Sequence, residues 1–327
     1  MFSSDFVAST SQHTVARVIH YRGIGLHSGQ NVSMQLHPAA PNSGIRFVRR
    51  DVPGSHAIIP ASWKNVVDTR LCTVLGNEHG VTIGTVEHLL AAIRSCGIDN
   101  LKIELDGDEV PILDGSSAPM VDIIRQAGVV SQRLPRYAIF IERPITVRQG
   151  ERYAVLKPAA VPSMTVEIEF DNPVIGAQSL TVDLVGDRFE KEIAPARTFG
   201  FASDLKQLRA AGLALGGSMQ NAVLVDGDRV VNEEGLRFAD EFVRHKMLDC
   251  YGDLALAGAP IYGELYARKP GHILNHALLR EMYQQQHAWS LLTHAEIAAR
   301  GRAGKQRHAR PMQPGVDSRT PTVAVRG

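Results

Sequence analysis

The chain has 327 residues and is 44% apolar, enough for two domains with cores of their own, so disorder is not its default state. Lys and Arg total 35 against 34 for Asp and Glu, and this formal charge of +1 excludes a global pull toward nucleic acid or an acidic membrane. Aromatics are only 6% and are not interleaved with basic runs, so no base-stacking surface is expected. Cys72, Cys96 and Cys250 form no Cys-x-x-Cys pair, which argues for a reducing compartment rather than a disulfide framework. Residues 1–13 lack the apolar stretch of a secretory signal, and no apolar run reaches the length of a membrane span, so a cytoplasmic location is expected.

Taken in order, residues 14–20 and 31–37 alternate as strands around the run Arg22-Gly23-Ile24-Gly25-Leu26-His27-Ser28-Gly29. The glycine spacing matches neither a Rossmann nor a Walker pattern, so the run reads as a hairpin connection. Further strands are expected at 44–50 and 65–75, with Trp63 in or at the edge of the core. Thr85 reads as the N-cap of a helix carrying Glu87 and His88 and stopped by Gly97. A strand at 100–105 leads into an acidic loop with Asp106, Asp108, Glu109 and Asp114. Its spacing fits no Ca²⁺ template, and a solvated turn is the simpler reading. Ser116 or Ser117 then caps a helix to about Ala127.

The pattern resets at 133–136. Strands follow at 137–141, 145–147, 154–156 and 164–170, then a Gly/Ala/Leu-rich segment at 196–221, a helix at 238–251 and a strand at 261–267. A Lys269-Pro270-Gly271-His272 loop precedes a last helix at 275–285. Each half thus runs strands, helix, strand, loop, helix. The expected fold is α+β, with two similar domains, each a sheet with two helices on one face, packed helix layer to helix layer as a β-α-α-β sandwich. The expected domains are 1–134 and 135–299, with a disordered, solvated basic tail at 300–327.

Chemistry concentrates in Phe242-Val243-Arg244-His245-Lys246-Met247-Leu248-Asp249-Cys250-Tyr251-Gly252-Asp253. Helical residues four apart drift by only roughly 40°, so His245, Asp249 and Asp253 form one slowly turning polar line. His and Asp at this spacing suit a zinc ion, although a solvated hydrogen-bonded pair is the commoner outcome for such a pair alone. A catalytic zinc takes three protein ligands. His88 is the third candidate, against the alternative of a core histidine, and His27 is the reserve. Glu87 beside it is placed to take a proton from water. His272 is the candidate general acid, with Asp253 to hold it charged, and Thr198 and Lys246 would stabilise developing oxyanion charge. A structural metal in a nucleotide-sugar carrier and a zinc peptidase are the rival readings.

Several separated stretches together resemble the UDP-3-O-acyl-N-acetylglucosamine deacetylase family. They are Thr85-Val86-Glu87-His88-Leu89-Leu90-Ala91-Ala92, Arg197-Thr198-Phe199-Gly200-Phe201, the His245 stretch, Lys269-Pro270-Gly271-His272, Gly23 to Gly29, Leu71-Cys72-Thr73 and Val110-Pro111-Ile112-Leu113-Asp114-Gly115. The resemblance spans about residues 14–289. It implies a zinc-dependent hydrolase that removes the N-acetyl group from UDP-3-O-(3-hydroxyacyl)-N-acetylglucosamine, releasing acetate and the free amine in lipid A biosynthesis. It implies one Zn²⁺ per chain on His88, His245 and Asp249, with Glu87 as base, His272 as acid, Asp253 as its partner, and Thr198 and Lys246 at the reacting centre. Phe199, Phe201 and Lys269 fall at substrate-contacting positions. Leu205, Ala214, Ser218, Ala222 and Leu224 match a hydrophobic passage for the acyl chain. A monomer acting on a small nucleotide-sugar glycolipid is expected, with no nucleic-acid partner and no transmembrane segment.

Overall fold

Alternation of apolar and polar residues builds two sheets of like topology. In the strand Asn31–Pro38, Val32, Met34 and Leu36 are buried on one face. A computed structural model describes residues 9–300 of the chain. The first sheet runs in the order Ile19–Ile24, Asn31–Pro38, Leu101–Leu105, Ile45–Arg49, Ile58–Pro60. The second runs Ile145–Gln149, Arg152–Lys157, Glu264–Arg268, Ser163–Glu169, Ala177–Asp183. Read across, both show the same pairings: antiparallel, antiparallel, parallel, antiparallel. The repeat inferred from element order is therefore present as a repeat of strand order and direction.

Between the sheets lie helices α1 (Glu87–Ser95), α2 (Ala118–Ala127), α4 (Glu241–Leu254) and α5 (His272–Gln284), while α3 (Ala202–Ala210) lies in the Gly/Ala/Leu-rich segment. α1 packs on α4, α2 on α1 and α5 on α4, giving the expected α+β sandwich. Apart from Arg94, every residue of α1 is buried, as suits a helix enclosed on all sides. Gly252 permits the close approach of the two central helices: a Cβ there would collide with the Glu87 carbonyl. Short strands tie the ends. Ser11–Val15 pairs with Val129–Pro135, and Tyr137–Ile141 pairs with Trp289–Thr293 and Ile261–Tyr262.

Several local expectations need correction. The strand expected at 65–75 is two short strands, Val66–Asp68 and Val74–Gly76, because Asp68 turns the chain by accepting from the Thr69 and Arg70 amides. Thr85 is not a cap: its φ of 57° is left-handed, its hydroxyl donates to Glu109, and Val86 takes the cap position. Ser117 occupies the N-cap of α2 but donates to the His88 carbonyl at 2.8 Å instead of capping. The reset at 133–136 falls largely in the strand Val129–Pro135. His272 is the first residue of α5, not part of the loop before it. Trp63 stacks on Tyr283 at 4.8 Å. Of the proposed tail only Arg300 is described, donating to Glu142 at 2.9 Å, and 301–327 lie outside the described residues. No helix among the described residues is long and apolar enough to cross a membrane.

Gly252→Ala is expected to force α1 and α4 apart and cost about 1–3 kcal/mol, the usual penalty of overpacking. A denaturant melt matching the parent's would show that the helix contact tolerates the extra carbon.

Candidate metal and catalytic site

α1 delivers Glu87 and His88 in its first turn, and α4 delivers His245, Asp249 and Asp253 along one line. His272 enters from the start of α5. All six are between 2% and 8% exposed. Among the described residues, the group of three His, Cys, Asp or Glu side chains able to share an ion is His88, His245 and Asp249, with ligand atoms within 4.8 Å of one another. Nε2 of His245 lies 3.3 Å from Asp249 Oδ1, and Nε2 of His88 lies 3.7 Å from the same oxygen. The two imidazole rings stand edge to face, 5.0 Å apart.

The donor chemistry fits a divalent ion. Burial pushes the His245 pKa down to about 3 against the pull of Asp249, so the ring is neutral at physiological pH. Its Nδ1 lies 3.1 Å from the Ala196 carbonyl; donation to that oxygen leaves the Nε2 lone pair free to coordinate. Burial opposes the Asp249 charge, but the Lys246 ammonium overrides it and holds the carboxyl well below its usual range. Lys246 Nζ donates to Asp249 Oδ2 at 2.8 Å. Arg197 braces this arrangement: its guanidinium and its amide both donate to Glu241, at the head of α4, which fixes the chain next to Ala196. His27 is not part of the ligand group.

Glu87 and His272 face each other across 3.7 Å, Oε1 to Nε2. Burial raises the Glu87 carboxyl above its usual range, while His272 and His88 pull it back. Burial also opposes charge on His272, but Asp253 and Glu87 outweigh it and raise the pKa to about 10. The His272 Nδ1 donates to Asp253 Oδ2 at 2.8 Å, an oxygen that also accepts from Asn275 at 2.8 Å.

Thr73 stands out in the sequence only as part of Leu71-Cys72-Thr73, yet its position is central. Its amide donates to Glu87 Oε2 at 3.0 Å and its hydroxyl donates to Asp253 Oδ1 at 2.5 Å, so one residue orients both carboxylates. Glu109, read from sequence as part of a solvated turn, is instead 4% exposed. It accepts from the His27 and Ser28 amides and from Thr85, so the glycine loop folds around its carboxylate. A side chain at Gly25 would collide with that carboxylate. No local pattern signals either role, since both partners are distant in the chain.

Beside the cluster is a cavity of about 320 Å³. Thr198, Phe199, Phe201, Leu205, Ala214, Ser218, Ala222 and Leu224 all line it, so these expected residues do come together. Phe199 joins the cavity to the cluster, with its ring 6.3 Å from that of His245 and Lys246 Nζ 5.5 Å from its centroid. A second space of about 640 Å³ adjoins through the shared residues His27, Leu71 and Leu208. Lys269 is not in this lining. It stands at a strand end of the second sheet, paired with Glu151 at 2.8 Å and Glu169 at 2.9 Å.

The family model described as UDP-3-O-acyl N-acetylglycosamine deacetylase matches residues 12–284. The chain belongs to this deacetylase family. It is 47% identical over 290 residues to the UDP-3-O-acyl-N-acetylglucosamine deacetylase of Acidithiobacillus ferrooxidans, covering 88% of this chain and 95% of that one. To the protein of the same name from Myxococcus xanthus it is 46% identical over 286 residues, covering 87% and 90%. With the Shewanella sp. protein the figures are 46% over 284 residues, covering 86% and 92%.

Thr73→Val keeps the amide but deletes the hydroxyl that steadies Asp253. It is expected to lower kcat about tenfold with little change in KM, and Thr73→Ser should restore most of the rate. Equal loss in both variants would mean that the hydroxyl is not what matters.

Proposed function

We propose that the chain is a zinc-dependent amidohydrolase that removes the N-acetyl group from UDP-3-O-(3-hydroxyacyl)-N-acetylglucosamine, the committed step of lipid A biosynthesis. The observation that carries this reading is the opposed pair Glu87 and His272 beside a buried three-donor group, next to an apolar cavity, in a chain of this family. Three donors without cysteine leave room for a substrate and argue against a purely structural metal, which usually has four protein ligands.

His88, His245 and Asp249 would hold one Zn²⁺ per chain. When bound there, zinc supplies Lewis acidity, which polarises an amide carbonyl and eases loss of a proton from water. Glu87 is the base: its raised pKa strengthens it as an acceptor, and Thr73 fixes its orientation. The Thr198 hydroxyl and the Lys246 ammonium stabilise negative charge growing on the acetyl oxygen. His272, kept protonated by Asp253, gives its Nε2 proton to the departing amine. Phe201 and Lys269 contact the nucleotide-sugar part, and Phe199 is a further substrate contact. Leu205, Ala214, Ser218, Ala222 and Leu224 take the acyl chain, whose burial supplies affinity in proportion to its apolar area.

On this reading the units are residues 1–134, with Glu87 and His88, and 135–299, with the remaining groups. The strand pairing of Ser11–Val15 with Val129–Pro135 supports that division. All the proposed groups come from one chain, which favours an active monomer.

Acetate release from the UDP-sugar, measured after chelation and again after zinc is returned, tests the proposal. No release from a zinc-replete sample would overturn it. Glu87→Ala and His272→Ala should each lower turnover by about 10²–10⁴. Zinc should remain bound in Glu87→Ala and be lost from His245→Ala, as read by elemental analysis. The rate should rise with pH as Glu87 loses its proton and fall near pH 10 as His272 loses its own. An unchanged alkaline limb in His272→Gln would exclude it as the acid.

A further inference from the structure

We propose that a second cavity, walled by the C-terminal ends of α1 and α4 and by the second sheet, binds a monocarboxylic acid with a short apolar chain. The cavity measures about 150 Å³ and shares no lining residue with the one beside Phe199. Its walls are largely apolar, including Leu156, Met164, Leu254 and Leu265, yet Arg94 and Arg136 both open onto it. Arg94 stands at the opposite end of α1 from Glu87.

The two guanidinium groups are not held alike. Arg136 Nε is tied to Asp99 Oδ1 at 2.8 Å, and the other oxygen of Asp99 accepts the His13 amide at 2.9 Å. Asp99 is thus committed. Arg94 makes only a long hydrogen bond, 3.4 Å, to the Ala255 carbonyl, and no carboxylate lies within ion-pair distance of it among the described residues. Burial and the neighbouring Arg136 both disfavour its charge. Arg94 thus carries its positive charge into a largely apolar space with no carboxylate beside it, where an unpaired ion is costly.

An anion meeting Arg94 would pair its charge, and a carboxylate matches the guanidinium fork with two parallel hydrogen bonds. The apolar walls then select an anion that carries a chain. An engineered cavity of similar size, about 150 Å³, holds benzene, which sets the chain at about six to eight carbons.

The test uses the full-length protein and a diazirine-bearing octanoic acid, with labelled peptides mapped by mass spectrometry. Labelling is expected within 162–164, 184–186 or 254–265. Octanoate should compete at least tenfold better than octanol, and Arg94→Gln should reduce labelling at least tenfold while deacetylation persists. Labelling confined to 198–224, equal competition by octanol, or full labelling of Arg94→Gln would each overturn the proposal. If Arg94→Gln does not fold, the octanoate and octanol comparison on the parent protein decides alone.

Discussion

Six ionisable side chains held out of water between α1, α4 and α5 set the terms for the rest of the molecule. Each buried ion loses hydration worth several kcal/mol unless partners replace it. The partners are specific: Lys246 for Asp249, Asp253 for His272, and Thr73 for both Glu87 and Asp253. The Ala196 carbonyl orients His245, and Arg197 with Glu241 fixes that stretch of chain in turn. The polar cluster is ordered because the apolar framework around it leaves it no alternative partners.

That framework is used twice. Two sheets of the same strand order flank a shared helical layer, and the donors come from both sides of it. The glycine loop adds a third support. By folding around Glu109 it also holds Thr85 at a left-handed φ immediately before α1, so the start of the helix bearing Glu87 and His88 is anchored to the hairpin.

How far the sequence could be read depended on distance along the chain. His245, Asp249 and Asp253 were legible because one helical period relates them. The strand pattern and the repeated order of elements were legible for the same local reason, and the sandwich followed from the need to cover the helices' apolar stripes. The passage residues came through the family resemblance and do share one cavity. What escaped was set by distant partners. Thr85 looked like a cap, but its hydroxyl is claimed by Glu109, which itself looked solvated. Thr73 carried no pattern of its own, because its contacts are with Glu87, Asp253 and His272. His272 reads as a loop residue from sequence because Pro270 and Gly271 mask the start of the helix it opens.

The bare backbone of Gly252 against Glu87 has a wider consequence. Both helices at that crossing carry members of the buried polar cluster, so their separation sets the distance from Glu87 to His245 and Asp249 as well as the fit of the core. Interiors yield little to strain. A substitution that thickens either helix there would detune catalysis well before the molecule loosens, making turnover a finer gauge of helix spacing than heat resistance.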